Sequence, residues 1–360
     1  MKDVFCIIMA GGAGTRFWPV SRQAKPKQFI DILGIGKTFL QQTFDRFVKI
    51  CPPENIFIVT HTLYKDLVLE QLPQIKSNQI LLEPMRKNTA PCIAYANYRI
   101  NKINPNAITV VAPADHLILN EQAFKKDILS GINFCRKNDM LLTIGIKPSR
   151  PETGYGYIQI DSKISFDKGF NKVKTFTEKP DLEMAKVFLK SGEFFWNSGI
   201  FVWSLKSISE AFKTHLEEVD ALFAEKQELL GTRKETAYIQ NIYNEVKSIS
   251  IDYGIMEKAS NVAIKCADFG WSDLGTWSSL YDNSTQDEDQ NVIRHDNVLA
   301  YHTKETLFDL PPDKLALVYG LKNYVVAERD NLLLICPKDE EKVLRDMVND
   351  MKFKKGEEFS

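Results

Sequence analysis

Val4-Phe5-Cys6-Ile7-Ile8-Met9-Ala10-Gly11-Gly12-Ala13-Gly14-Thr15-Arg16 runs from an unbroken apolar segment into a glycine turn and then a cation. A continuous apolar run of this length fits a strand buried on both faces, the usual state of strands in a parallel sheet. Glycines just past such a strand let backbone N–H groups approach an anion without interference from a Cβ. Ligands of open α/β sheets bind beyond the C-terminal ends of the strands, so the turn is also a candidate binding loop.

Working outward, Ile56–Thr60, Ile80–Glu83 and Ile108–Ala112 repeat the apolar pattern. Helix-length segments separate them, at Phe39–Lys49, Leu63–Gln71, Ala90–Asn101 and Glu121–Lys137. Strand–helix–strand alternation predicts right-handed βαβ units and an α/β fold: an open, mostly parallel sheet flanked by helices. From residue 140 the texture changes. Leu141–Ile146, Tyr155–Ile160, Val173–Glu178 and Gly199–Ser204 read as strands, with helices at Asp181–Lys190 and Leu205–Gln227, which suggests a mixed extension of the same sheet. The polar run 282–291 reads as a linker. After it, Asn297–Tyr301, Leu315–Tyr319, Tyr324–Glu328 and Leu332–Cys336 form short strands ahead of a helix at Glu340–Met351. The expected division is a large domain over 1–281, the linker, and a small β appendix over 292–360.

Composition narrows the function. Forty-six Lys plus Arg against 47 Asp plus Glu leave a formal charge of −1, so the broad basic face of a nucleic-acid binder is not expected. A phosphorylated small molecule needs only a few placed cations and stays open. The hydrophobic share of 44% allows a substantial core. The N-terminal apolar run Val4–Ala10 is too short to span a membrane, and no small-residue cleavage site follows it. The six cysteines, at 6, 51, 92, 135, 266 and 336, form no C-x-x-C pair, so free thiols in a reducing cytoplasm are the expected state.

The glycine turn matches neither familiar phosphate motif. A dinucleotide fingerprint beginning at Gly12 would need glycine where Phe17 stands, and a P-loop built on Gly36-Lys37-Thr38 would need glycine where Asp31 stands. Its surroundings are more informative. Arg16, Arg22, Lys25 and Lys27 are interleaved with Phe17, Trp18, Pro19 and Pro26, the composition of an ordered loop that fixes cations in place. Fixed cations beside a glycine turn suit a polyphosphate and can neutralise charge on its leaving group.

Gly11 to Arg22 followed by Pro26-Lys27-Gln28-Phe29 resembles the signature of the nucleotide-sugar pyrophosphorylases, and within them the mannose-1-phosphate guanylyltransferases. Further matching segments follow in order: Glu83-Pro84 with Asn88-Thr89-Ala90-Pro91, Pro113-Ala114-Asp115-His116, Thr153-Gly154-Tyr155-Gly156-Tyr157 and Phe176-Thr177-Glu178-Lys179-Pro180. Trp196-Asn197-Ser198-Gly199, Ile251-Asp252-Tyr253 and Trp271-Ser272-Asp273-Leu274-Gly275-Thr276-Trp277 complete the set, so the resemblance covers residues 1–280, and the tail resembles that of shorter family members.

The resemblance implies a Rossmann-like, GT-A-like nucleotidyltransferase domain with a left-handed β-helix-like appendix. It implies transfer of GMP from GTP to mannose 1-phosphate, releasing pyrophosphate, with Mg²⁺. Another hexose 1-phosphate or another NTP is the nearest alternative, and a non-catalytic nucleotide-sugar sensor the more distant one. By resemblance, Arg16 and Lys27 are catalytic, and Gly11, Gly12, Gly14, Thr15, Glu83, Asn88 and Thr89 hold the nucleotide. Gly154, Glu178, Lys179 and Asn197 meet the sugar phosphate, while Asp115 and Asp273 bind the metal. Self-association through the appendix, as a homodimer, is implied in the same way. His116 has no spaced partner and reads as structural. Lys27→Ala is expected to leave the fold intact, on the premise that Lys27 sits on an accessible loop.

Overall fold

The structure, a computed structural model, describes residues 1–12, 15–167 and 169–359. The chain divides into two compact units: 1–11 with 43–114 and 118–271, and 12–42 with 115–117 and 272–360. The basic loop therefore shares a unit with the expected appendix.

Nine strands build the sheet of the first unit. They are β1 (Val4–Met9), β2 (Ile56–His61), β3 (Ile80–Glu83), β4 (Ile108–Pro113), β5 (Leu141–Ile146), β6 (Gly156–Asp167), β7 (Phe170–Glu178), β8 (Phe194–Ser204) and β9 (Val262–Ala267). Their order is β3-β2-β1-β4-β8-β5-β9-β7-β6, with a further pairing of β6 to β8. The block β3-β2-β1-β4 is parallel, as is β5 with β9. The other five pairings are antiparallel, and each involves β7 or β8, the two strands that run against the other seven, so the antiparallel pairs lie in the mixed extension expected after residue 140. One cause is local: only two residues separate β6 from β7, too few for a parallel crossover. The other is the path of the chain, which brings β8 back antiparallel between β4 and β5.

The α-helices, in chain order, are α1 (Phe39–Phe47), α2 (Lys65–Gln71), α3 (Thr89–Asn101), α4 (Glu121–Lys137), α5 (Leu182–Ser191), α6 (Leu205–His215), α7 (Glu217–Ala224), α8 (Glu235–Glu245), α9 (Trp277–Asp282) and α10 (Leu344–Lys355). Strand periodicity assigns the faces. Phe5, Ile7, Phe57, Val59 and Val111 join α3, α6, α7 and α8 in one core cluster. On the opposite face α4 packs close, where a Cβ added to Gly131 would lie 2.8 Å from Leu142. The helix expected over Leu205–Gln227 breaks at Leu216, whose side chain lies against Gly254.

In the second unit, β10 (Val292–Ile293), β12 (Leu307–Asp309) and β14 (Tyr324–Arg329) pair in parallel, as do β11 (Val298–Tyr301) and β13 (Ala316–Tyr319). β15 (Leu332–Pro337) closes the first set antiparallel to β14. Phe17, Val20 and Ile32 of the basic loop share one core with Trp277, Val292, Leu307, Val325 and Leu344. Residues 282–291, expected as a linker, form a bonded turn: Asp287 accepts from the Asn291 N–H at 2.7 Å, and the Asn291 amide donates to the Thr303 carbonyl at 2.9 Å. The six cysteines are free, and five are buried.

Candidate active site

Within the second unit, the two expected metal carboxylates and the two expected catalytic cations come together. Lys27 lies in a short 3₁₀ turn, Lys27–Phe29, that follows Pro26. It is only 5% exposed, contrary to the expectation of an accessible loop lysine. The physical reason is its set of acceptors. The ammonium donates to the carbonyls of Asp273 at 2.5 Å and Leu274 at 3.2 Å, and its Nζ lies 3.1 Å from Asp115 Oδ2. All three protons of the ammonium thus have protein partners. Burial alone would raise the Asp115 carboxyl, but Lys27 and His116 outweigh it and hold the group below its ordinary value.

Arg16, by contrast, is exposed, with its guanidinium 4.0 Å from Asp273 Oδ2. Gly275 permits this approach: a Cβ there would lie 2.7 Å from Asp273 Oδ2 and 2.9 Å from Arg16 Nη1. Asp273 Oδ1 accepts from the Gly275 N–H at 2.9 Å, which fixes the carboxylate. Gln28 donates to the Gly12 carbonyl at 3.0 Å, while Arg22 is turned to Asp330. Gly14 lies outside the described residues, and Thr15 begins a short 3₁₀ turn, Thr15–Phe17.

Mg²⁺ takes one or two carboxylates, with phosphate and water completing its octahedron. Asp115, paired with Lys27, and Asp273, whose backbone carbonyl accepts from the same ammonium, offer the hard carboxylate oxygens of that donor set. No group of three or more His, Cys, Asp or Glu suited to a metal occurs among the described residues, so substrate oxygens would have to complete such a site.

Of the nucleotide residues of the first unit, Glu83 ends β3, while Gly11 lies past β1 and Asn88 and Thr89 past β3. Glu83 is buried, and Tyr243 of α8 donates to its Oε1 at 2.8 Å. A Cβ on Gly11 would lie 3.2 Å from Glu83 Oε2, so only glycine fits there without displacing the carboxyl. Burial pushes Glu83 up to about 7, against the lowering effects of Tyr243 and Arg86. A raised carboxyl pKa stabilises the fold fully below the unfolded value near 4.5, and that contribution is lost as pH rises through about 7. Glu83→Gln is therefore expected to flatten the decline in melting temperature between pH 5 and 7.5. Thermal melts of both proteins across that range check it, and parallel curves would refute it.

Asn88 adopts φ 69° and its side chain accepts from the Thr89 N–H, capping α3. The Thr89 hydroxyl accepts from the Ile251 N–H at 2.8 Å, tying this loop to the 249–251 segment.

Among the sugar residues, Asn197 donates to Asp252 at 2.7 Å and accepts from the Gly199 N–H. Lys179 donates to Glu178 at 2.5 Å. Glu178 Oε2 lies 2.6 Å from where a Cβ on Gly156 would stand, and Asn197 Cβ lies 3.5 Å from the same point. Gly154 is exposed, its N–H held by Glu152. Burial raises the carboxyl of Asp252; the Asn197 amide opposes the shift and Glu178 adds to it. Glu178, Asn197 and Asp252 thus form an acceptor-rich group of the kind that binds sugar hydroxyls.

Sequence reasoning missed three participants. Asp252 was visible in a motif but received no role. Tyr243 and Arg86 carried no local signal, because their partners, Glu83 and Gly11, lie 160 and 75 residues away.

The sequence profile described as nucleotidyl transferase matches residues 5–290. Xanthan biosynthesis protein XanB of Xanthomonas campestris pv. campestris is 35% identical over 98% of this chain and 74% of its own length. Mannose-1-phosphate guanylyltransferase of Klebsiella pneumoniae is 33% identical over 98% of this chain and 75% of its own. The crystal structure of mannose-1-phosphate geranyltransferase from Thermus thermophilus superposes with a TM-score of 0.86 at 28% identity, covering 97% of this chain and 99% of that one.

Proposed function

This chain belongs to the nucleotidyl transferase family, and from that premise we propose that it transfers GMP from GTP to α-D-mannose 1-phosphate, giving GDP-mannose and pyrophosphate. The observation that carries the reading is the cluster of Arg16, Lys27, Asp115 and Asp273, two cations and two hard carboxylates in one compact unit. The Klebsiella relative's name supplies the guanylyl group and the sugar phosphate.

A phosphate oxygen of mannose 1-phosphate attacks the α-phosphorus of GTP. A new P–O bond forms as the bond to the β-phosphate oxygen breaks, and pyrophosphate leaves with its electron pair. The nucleophile is already anionic, so no general base is required. Catalysis then rests on positioning and on charge already in place. Arg16, exposed and lightly tethered, is the cation free to close on the triphosphate. Lys27 contributes a fixed charge and holds the Asp115 and Asp273 segments together. Asp115 and Asp273 would hold Mg²⁺, which supplies charge neutralisation on the phosphates when bound. By resemblance to the family, Glu178, Lys179, Asn197 and Gly154 are assigned the sugar phosphate, and Glu83, Asn88, Thr89, Gly11, Gly12, Gly14 and Thr15 the nucleotide.

Pyrophosphate release measured for four NTPs against several hexose 1-phosphates tests the reading. GTP with mannose 1-phosphate should be the best pair. Another best pair would overturn the substrate assignment, and no release from any pair would overturn the enzymatic one.

The same reading takes the active form as a homodimer. Leu299 stands in register with Leu317, and Tyr301 with Tyr319. All four side chains are about half exposed or more, an apolar ladder of the kind that marks protein interfaces. Leu317→Asp should shift the mass measured by light scattering from dimer to monomer. A wild-type monomer, or a dimer unmoved by the change, would refute this. Among the described residues no helix is long and apolar enough to cross a membrane. The free cysteines suit a reducing cytoplasm, the compartment the reading assigns.

A further inference from the structure

We propose that Arg86 selects the base of the nucleotide, donating to O6 and N7 of guanine. The inference rests on the reading that GTP is the substrate and assigns the residue that makes it so.

Arg86 follows β3, Tyr64 follows β2 and Gly11 follows β1, so three neighbouring strand ends meet in one corner. Arg86 Nε donates to the Gly11 carbonyl at 3.2 Å, and Nη2 donates to the Tyr64 hydroxyl at 2.5 Å. The guanidinium carbon lies 5.8 Å from the centre of the Tyr64 ring. An exposed arginine is ordinarily mobile, yet this one is anchored on two sides. Two of its five N–H groups are used and the remainder can reach a ligand.

Of the other polar groups near these strand ends, Glu83 is only 6% exposed, with Tyr243 on one oxygen and Gly11 close to the other, while His61 Nδ1 accepts from the Leu63 N–H and Asn88 Oδ1 from the Thr89 N–H. Arg86 is the exposed group here that carries a fork of donors. A guanidinium fork pairs with two adjacent acceptors, which guanine presents at O6 and N7. Adenine presents a donor at N6 beside N7, so the same fork meets one acceptor and one repulsive amine. Arg86 is in this way both an attraction to guanine and a penalty on adenine.

Steady-state kcat/KM for GTP, ATP and 7-deaza-GTP, with mannose 1-phosphate fixed, tests this in the wild type and in Arg86→Ala, Arg86→Lys and Arg86→Gln. The wild type should lose roughly 10-fold on 7-deaza-GTP, which lacks the N7 acceptor. Arg86→Ala should use GTP and 7-deaza-GTP alike, and its GTP-over-ATP preference should fall roughly 10- to 100-fold, mostly through KM. Arg86→Gln should gain on ATP, because a carboxamide pairs with adenine N6 and N7. An equal fall on every nucleotide would make Arg86 a phosphate contact and overturn the proposal, as would unchanged ratios. The wild-type comparison needs no variant to fold. A wild type without preference for GTP would bring down the substrate reading as well; a clear preference unaffected at Arg86 would bring down this inference alone.

Discussion

Replacing Lys27 with alanine is expected to lower kcat by roughly 10²–10³-fold, the usual scale for losing one preorganised charge at a site where charge develops. The variant should also melt earlier. Lys27 is buried, and its ammonium is the donor for the carbonyls of Asp273 and Leu274 and the partner of Asp115. Alanine removes the charge and strips these acceptors of their donor at once, at about 1–3 kcal/mol for each buried group left unsatisfied. The share from Asp115 is smaller, because its side chain is 38% exposed and water can replace the lost partner. Single-turnover rates taken well below the variant's melting temperature separate the two effects. Normal turnover would remove Lys27 from the machinery, and an unchanged melting temperature would contradict its structural part.

The second large effect is expected at Asp115. Asp115→Asn keeps the shape of the side chain but removes one hard anionic ligand, and should cost roughly 10²-fold in rate at limiting Mg²⁺. Part of that loss should be recovered at high Mg²⁺, so the titration curve moves to higher concentration. Asp273→Asn should move it the same way, since the Asp273 carboxylate faces Arg16 at 4.0 Å while its backbone carbonyl is held by the ammonium that pairs with Asp115. Titrations that superpose on the wild type would rule out ligation by these residues.

How much of this was legible in advance varies by element. The four apolar runs beginning at Val4, Ile56, Ile80 and Ile108 became the parallel block of the sheet, because each run is its own burial signal on both faces. The direction of β8 was not legible. An apolar segment such as Gly199–Ser204 reads alike whichever way its neighbours run, and pairing direction follows from the path of the whole chain. The break at Leu216 was hidden for a similar reason: its neighbour Gly254 belongs to a distant turn. Helix α8 could have been found, since Tyr238, Ile239, Ile242 and Tyr243 are buried at helical spacing.

At the candidate site, sequence by itself determined the chemical inventory: a glycine turn after a buried strand, cations beside it, carboxylates in glycine- and proline-bounded loops, and motifs in the order that marks the family. Those features are local, encoded in residue type and spacing. Only the tertiary structure decided what each group is able to do. Lys27 became a buried tie rather than a surface cation, Glu83 a buried carboxyl with its pKa near neutrality, and Arg86 an anchored guanidinium at the junction of three strands. Charge state and availability depend on desolvation and on which partners arrive from remote parts of the chain, and neither is written at any single position.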